Sequence, residues 1–131
     1  MPKEKLKKTT DKESDYFVKR VHFWQEKLNL MNWRIDVYTK DLNKKDRSAE
    51  VNIDFTARYA VIFLAEKLPD TFVWNNKKLD RSAFHECCEI LLSQLGVMAE
   101  QRYAKALVDE ETHAIIRTLE NAIVPKIRGK L

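Results

Sequence analysis

The chain has 131 residues, of which 44% are hydrophobic, and it contains only two glycines and three prolines. This composition allows one hydrophobic core and excludes long flexible linkers, so we expect a single domain over residues 13–125 with basic tails at 1–12 and 126–131. No apolar run approaches the roughly 20 residues that span a bilayer, and the first residues lead into charge and not into a signal-peptide core. These features argue against a membrane protein and predict a cytosolic one.

The net charge of +4 comes mainly from the two ends of the chain. Lysines cluster within residues 3–8, and basic residues return within 126–130. Such groups can contact phosphates, but short basic ends without interleaved aromatic residues or a DNA-binding motif are typical of solvated tails. We therefore expect no nucleic-acid partner.

The first predicted element is a helix, with Ser14 as its N-cap. His22 lies on this helix beside its apolar face, and we expect it to be a packed or surface residue and not a ligand. Apolar residues at helical spacing define the face that turns to the core. They are Phe17, Val21, Trp24 and Leu28.

Three strands are predicted next. Alternation of apolar and polar residues over 33–38, and again over 51–56, is typical of half-buried strands. Tyr59–Ala65 is apolar on both faces, so we expect this strand to be central in the sheet, or covered by helices on one side and by a substrate or loop on the other. Residues 70–78 have no regular pattern, and we expect Phe72 and Trp74 to be packing residues, with a pocket wall as the alternative.

Two further helices are predicted in the second half of the chain. Asp80 is the expected N-cap of the first, and Gly96 is its expected C-cap. The second is expected from about Glu100 to Val124, where Pro125 stops it. An apolar stripe turns the first of these helices toward the core. It consists of Phe84, Cys88, Leu91, Leu92 and Leu95.

The first of these two helices carries the pattern HExxE at residues 85–89. On a helix, His85 and Glu89 lie about 6 Å apart along the axis and only about 40° apart around it, so both side chains reach one point where a cation can bind. Glu86 stands about 100° round the helix, in the place where HExxH metalloproteases keep their general base. His85 and Glu89 flank the apolar stripe, so we expect both to be half buried. The pattern predicts two metal ligands and a base.

A catalytic zinc ion takes three protein ligands and leaves its fourth position to water, so a third ligand must come from another element. His113, near the middle of the last helix, is the preferred candidate. Two imidazoles and one carboxylate then restore the donor set of enzymes that combine HExxH with a distal glutamate. Glu110 and Glu111 are the alternatives, and Glu110 could instead orient an imidazole through a hydrogen bond.

Cys87 and Cys88 are adjacent on the helix that carries HExxE, where neighbouring side chains point about 100° apart and do not easily close a disulfide. We expect both thiols to be reduced and to pack in the core as small hydrophobic groups. The alternative is that one of them is a thiolate ligand.

The order of these elements resembles a known family, the small metallopeptidase-like proteins encoded by tailed phages and prophages, which are minimal zincin-like domains. The resemblance rests on an N-terminal helix, short strands, a helix with His-Glu and a leucine-rich second half, and a last helix that continues as Ile-Ile-Arg-Thr-Leu-Glu at residues 115–120. It implies an α+β fold with about three mostly antiparallel strands and the site helix packed beneath them. At Glu89 this chain has glutamate where the family has histidine.

The resemblance also implies an activity. It implies a zinc-dependent peptidase in which Glu86 accepts the proton of metal-activated water. An extended peptide or protein substrate would add to the sheet at Tyr59–Ala65 or its neighbour. The expected place of action is the cytoplasm of a bacterial host.

Two other functions fit the same residues. One is a catalytically inactive phage protein, an interaction or inhibitor module that keeps the fold, in which Glu86→Gln would leave the biological effect intact. The other is a different metal chemistry, because Glu110-x-x-His113 matches the ExxH element of di-iron bundles, and two histidines with one carboxylate suit non-haem iron. A di-iron bundle needs a second ExxH and four helices, and the sequence offers neither.

Overall fold

The computed structural model describes residues 5–43 and 47–128, and the fold is α+β. None of the helices in these residues combines the length and the apolarity that crossing a bilayer demands. The elements in chain order are β1 (Leu6–Lys8), α1 (Asp11–Lys27), β2 (Arg34–Lys40), β3 (Ala49–Asp54), β4 (Tyr59–Ala65), β5 (Lys67–Pro69), α2 (Asn76–Glu100) and α3 (Lys105–Arg128).

Strands β2, β3 and β4 form the expected three-stranded sheet, in the order β2-β4-β3. The position of β4 confirms that the strand with two apolar faces is central. Strand β3 pairs with it antiparallel, with Val51 opposite Ile62, whereas β2 pairs with it in parallel, with Ile35 opposite Ala60. The prediction of mostly antiparallel pairing is therefore wrong for this sheet. Because successive strands reverse direction, insertion of β4 between β2 and β3 sets it beside a strand that runs the same way.

A second, two-stranded ladder was not predicted. Strand β1, which lies in the segment expected to be a basic tail, pairs antiparallel with β5. The hydroxyl of Thr9 then donates to the buried carbonyl oxygen of Ala65 at 2.7 Å, which joins the start of the chain to the end of β4. After β5, Phe72 and Trp74 pack edge to face with ring centroids 4.8 Å apart, as expected of packing residues. Residues 1–4 and 129–131 of the predicted tails lie outside the described residues.

Helix α1 begins four residues earlier than predicted, because Thr10 and not Ser14 is its N-cap. The side chain of Thr10 accepts a hydrogen bond from the backbone N–H of Glu13, and the Glu13 carboxylate accepts one from the Thr10 N–H. This reciprocal capping box satisfies two amides that the helix itself leaves unpaired. Ser14 lies inside the helix, and its hydroxyl bonds the hydroxyl of Thr39 on β2 at 2.6 Å.

Both predicted caps of α2 are wrong. Asn75 caps the helix, and its side chain accepts a hydrogen bond from the backbone N–H of Lys78 at 2.8 Å. The helix then continues through Gly96 as far as Glu100. Packing against α3 outweighs the roughly 1 kcal/mol that glycine costs in a helix interior.

Asp80 lies one turn inside α2 and is completely buried. Its Oδ1 accepts hydrogen bonds from Nε of Arg20 at 2.7 Å and from the indole N–H of Trp24 at 2.8 Å, both on α1. A carboxylate that the sequence pattern assigned to a helix end is therefore the polar link between α1 and α2. Its charge is compensated by the arginine, as burial requires.

Helix α3 starts five residues later than predicted and runs past Pro125 to Arg128, so the proline does not end it. Pro125 lacks the N–H that would bond the carbonyl oxygen of Asn121, but only about one helical turn follows it, so little of the helix is disturbed. Two residues anchor α3 in the protein: Ile116 near its middle and Val124 near its end are almost fully buried.

The apolar stripe of α2 is buried in its first half and exposed in its second. Phe84 and Cys88 are fully buried, and the Phe84 ring packs edge-on against Trp24 of α1 with centroids 4.8 Å apart. Leu91 and Leu95 were expected to face the core but are 41% and 61% exposed. The groove beside this end of α2 is lined by α3 and the turn before it, and by no residue of α1 or the sheet. Periodicity identified the apolar face correctly, but no element covers its far end within the described residues.

Candidate metal centre

The first two predicted ligands lie on α2 and face the same direction. His85 Nε2 and Glu89 Oε2 are 3.9 Å apart, and the two side chains are 28% and 25% exposed, so both are half buried as expected. His85 and Glu89 face the same direction because residues four apart on a helix are neighbours along one face.

The third predicted ligand comes from α3. His113 Nε2 lies 3.3 Å from Glu89 Oε1, on the opposite carboxylate oxygen from the one that faces His85. Each of the three side chains offers one donor atom, and the three atoms lie within 4.8 Å of one another. A tetrahedral zinc ion with bonds of about 2.0–2.1 Å separates its ligand atoms by about 3.3–3.4 Å. The observed arrangement can therefore hold a metal ion after side-chain shifts of a few tenths of an ångström to about 1 Å.

Both imidazoles are oriented by a hydrogen bond at their other ring nitrogen. His113 Nδ1 lies 2.7 Å from the backbone oxygen of Asp109, which can only accept, so this nitrogen carries the proton. His85 Nδ1 lies 2.6 Å from Oε1 of Glu120. The neutral form of each ring then has its lone pair on Nε2, toward Glu89. Metal-binding histidines are fixed in their tautomer and orientation in the same way.

Glu120 was not identified from the sequence as part of the site. It stands seven residues after His113, or about two helical turns, so both lie on one face of α3. It is only 7% exposed, and its second oxygen lies 3.7 Å from Nη1 of Arg81. The hydrogen bond to Glu120 is the main cause that raises the pKa of His85, with the charge of Glu89 acting in the same direction and burial opposing it. A carboxylate on the otherwise apolar buried face of α3 was the available signal.

Glu86, the predicted general base, lies beside the three ligands and is only 5% exposed. Its Oε2 has no hydrogen-bond partner among the described residues. Burial raises the pKa of Glu86 well above its ordinary value, a hydrogen bond to Glu89 and the charge of that residue add to the effect, and Arg47 opposes it. A carboxyl group whose pKa moves toward neutrality is suited to take up and release a proton near pH 7.

The candidate site opens into a cavity of about 250 Å³ between α2, α3 and strand β3. His85, Glu86, Glu89 and His113 form one wall, and Ala49–Asn52 of β3 form the other. Strand β3 is at the edge of its sheet, and no described strand pairs with its outer side. A strand with one edge unpaired among the described residues therefore lines the cavity of the three donor atoms.

The other candidate ligands lie elsewhere. Glu110 and Glu111 are exposed on α3 and are not part of the group of converging donors. His22 is exposed on α1, where its Nδ1 lies 3.3 Å from the side-chain oxygen of Gln25. Among the described residues, the metal-binding geometry is formed by His85, Glu89 and His113.

Both cysteines are fully buried and free. Burial is the main cause that raises the pKa of each thiol, to about 12 for Cys88, and this disfavours the thiolate that a metal ligand requires. Cys87 Sγ instead lies 3.6 Å from the backbone oxygen of Val21 on α1. The geometry agrees with core packing.

Comparison of the chain with models of protein families, with curated proteins and with solved structures gives no match. The geometry of the site itself is therefore what indicates a function for this protein.

Proposed function

We propose that this protein is a divalent-metal-dependent hydrolase that cleaves peptide bonds, with His85, Glu89 and His113 as metal ligands and Glu86 as general base. The observation that carries the proposal is the convergence of two Nε2 atoms on one carboxylate, with both Nδ1 atoms already engaged. Acceptor atoms that face one another repel unless a proton or a cation joins them. The buried carboxyl group of Glu86 beside them adds the base that hydrolysis needs.

The residues around the ion have distinct tasks. When bound, a divalent ion supplies a Lewis acid for the substrate carbonyl and lowers the pKa of water. The Glu86 carboxylate would accept a proton from the attacking water and would later pass it to the departing amine. Glu120 and the backbone oxygen of Asp109 hold the two imidazoles in place.

The substrate lies along β3 in this proposal. Of the two strands considered from the sequence, Tyr59–Ala65 is paired on both sides and offers no free edge. Its neighbour β3 has a free edge among the described residues and lines the cavity with Ala49–Asn52. An extended peptide that adds to this edge makes main-chain hydrogen bonds and presents a carbonyl group to the site.

We also propose that the ion is zinc and that the fold is zincin-like. The protein would then belong with the phage and prophage proteins that its sequence resembles. Two nitrogen donors and one oxygen donor at near-tetrahedral spacing suit zinc, although the same donor types also serve non-haem iron. Two free cysteines agree with action in the reducing cytoplasm of a bacterial host.

Elemental analysis of protein purified without added metal tests the metal centre. We expect about one zinc per chain in the wild type, and loss of this metal in His85→Ala and His113→Ala. His22→Ala is the matched control, because it removes an exposed histidine outside the site, and Glu110→Ala and Glu111→Ala serve the same purpose on α3. A wild type that contains no metal and does not take up added zinc would contradict the assignment. Bound iron would instead indicate a non-haem iron site.

Cleavage of a peptide library, with and without a chelator, tests the activity separately. Glu86→Gln should keep the metal but lower the cleavage rate by at least about 100-fold, because a general base contributes 10²–10⁴-fold. Cleavage that survives both the chelator and this substitution would show that the site is not the source of the activity.

A second candidate function is a catalytically inactive interaction module. The observation that favours it is the apolar surface at the far end of α2 and the start of α3, where several large side chains are about half exposed or more. They include Leu95 at 61%, Met98 at 62%, Tyr103 at 60% and Leu107 at 49%. Exposed apolar clusters of this kind often mark contact surfaces. If Glu86→Gln leaves the biological effect of the protein intact and Leu95→Glu abolishes that effect, the interaction module is favoured.

A further inference from the structure

We propose that a second cavity beside the metal centre binds a carboxylate group of the substrate, so that the enzyme prefers peptides with an acidic side chain or a free C-terminus within about two residues of the cleaved bond. This inference rests on the proposed peptidase function and adds a substrate class to it. The cavity has a volume of about 300 Å³ and lies between α2 and the beginning of β3.

Two arginines and two serines line this cavity together with His85 and two glutamates, of which Glu120 is already in contact with His85 and Arg81. Arg81 and Ser82 come from α2, and Arg47 and Ser48 come from the segment that leads into β3. A guanidinium group presents its N–H donors as a planar fork that matches the two oxygens of a carboxylate. Side chains from two elements therefore converge on one volume with the donors that a carboxylate accepts.

Both arginines are positioned by existing contacts that leave donors for a ligand. Arg81 Nη1 donates to Oδ1 of Asn121 at 3.1 Å, and the same atom lies 3.7 Å from Glu120. Arg47 Nη1 donates to Glu50 at 3.3 Å in an exposed ion pair. Since arginine carries five N–H groups, each side chain keeps several of them. An exposed ion pair is worth at most about 1 kcal/mol, so a substrate carboxylate can compete for Arg47.

The position of the cavity links it to the reaction. It shares Arg47, His85 and Glu86 with the cavity of the metal centre, so the two volumes adjoin. Arg81 precedes His85 by one helical turn, which is about 6 Å along the axis of α2. An extended peptide advances about 3.3 Å per residue, so a carboxylate held by Arg81 lies within about two residues of the bond at the metal centre.

Binding of small probes tests the cavity independently of cleavage. The probes are N-acetylglutamine, which has only an α-carboxylate, the α-amide of N-acetylglutamate, which has only a side-chain carboxylate, and the α-amide of N-acetylglutamine, which has neither. We expect one carboxylate probe to bind about 10-fold or more tightly than the neutral probe in an NMR titration, because hydrogen bonds to charged groups discriminate by roughly this factor. The preferred probe identifies which carboxylate the cavity takes.

Arg47→Gln and Arg81→Gln should each reduce this ratio toward one. Arg34→Gln is the matched control, because Arg34 also forms an exposed ion pair, with Asp36 at 3.4 Å, but on β2 at the opposite edge of the sheet. It should leave the ratio unchanged. Circular dichroism checks that each variant folds, and the exposed position of Arg47 makes that variant the safer one if Arg81→Gln is unstable.

A parallel peptide series separates this inference from the proposed function. Peptides that carry Glu or Gln at the two positions on either side of the cleaved bond, with free or amidated C-termini, should show the same preference in kcat/KM. Cleavage without a carboxylate preference would overturn the inference and leave the peptidase function standing. If the probes show an arginine-dependent preference but no peptide is cleaved, the carboxylate site stands and the peptidase function falls. A preference that survives both arginine substitutions would also overturn the inference.

Discussion

Two polar clusters lie five residues apart on α2, and they differ in whether an arginine pairs with the carboxylate. Asp80 is fully buried, and its Oδ1 receives hydrogen bonds from Arg20 and Trp24, so the arginine matches its charge even though Asp80 Oδ2 and Arg20 Nη2 have no hydrogen-bond partner among the described residues. His85 and Glu89 are half buried and meet His113, so that three metal-binding atoms converge and no lysine or arginine pairs with Glu89 among the described residues.

This difference separates a polar cluster that holds the fold together from one that is suited to bind a ligand. Removing one partner from a compensated buried pair leaves an unpaired charge, which the protein cannot solvate. Removing a metal ligand such as His113 from the other cluster leaves no buried unpaired charge and weakens chiefly the metal-bound state. The two clusters should therefore respond in opposite ways to substitution and to metal.

The largest expected effect belongs to Asp80. The substitution Asp80→Asn should lower the free energy of unfolding by about 3–5 kcal/mol, because it leaves the buried Arg20 without its counter-charge. Urea unfolding measures the loss, with the exposed Asp70→Asn as a control that should change stability by less than about 0.5 kcal/mol. A loss below about 1 kcal/mol in Asp80→Asn would remove the distinction between the two clusters.

Metal should stabilise the protein through the other cluster. Free zinc at about 100 times its dissociation constant should raise the free energy of unfolding by about 2.7 kcal/mol. His113→Ala should abolish this gain, whereas Asp80→Asn should retain it at temperatures where that variant is folded. Thermal unfolding with and without zinc provides the measurement, and an equal gain in His113→Ala would place the metal elsewhere.

Glu120 should affect metal affinity more than its distance from the ion suggests. Glu120→Gln keeps an acceptor for His85 Nδ1 but removes the charge, and we expect metal affinity to fall by about 10–100-fold. Competition with a chromogenic chelator measures this change. The exposed Glu111→Gln on the same helix is the control, and similar affinities in the two variants would show that Glu120 does not support the ligand.

The smallest expected effect is a pH dependence of the metal-free protein. The pKa of His85 is raised above 6.5, mainly by the hydrogen bond to Glu120, and that of Glu86 is raised well above 4.5, mainly by burial. A group whose pKa is raised on folding contributes stability that is fully present below its unfolded pKa and is lost as pH rises through its folded pKa. The free energy of unfolding should therefore fall as pH rises, from about 4.5 for Glu86 and from about 6.5 for His85.

Urea unfolding in the presence of a chelator, from about pH 5 to pH 8, measures this trend. Glu86→Gln should remove the fall in the free energy of unfolding that begins near pH 4.5. Glu120→Gln should weaken the fall that begins near pH 6.5. If the difference between the wild type and Glu86→Gln does not change with pH, then Glu86 does not titrate with a raised pKa.

The sequence alone determined those features that depend on local periodicity. His85 and Glu89 share a face because they are four residues apart on a helix, and the two apolar faces of Tyr59–Ala65 predicted a central strand. The apolar side of α2 was correct for Phe84 and Cys88 but not for Leu91 and Leu95, because the helical repeat does not show how far along the helix another element covers it.

Tertiary structure decided which groups meet across elements. It placed Asp80 against Arg20 where a cap was expected, and it inserted β4 between β2 and β3 so that one pairing became parallel. It brought His113 to Glu89 and Glu120 to His85, contacts that depend on how α3 packs on α2. Sequence spacing sets distances only within an element, because each additional element brings its own rotation and offset, and burial of the whole core selects among them.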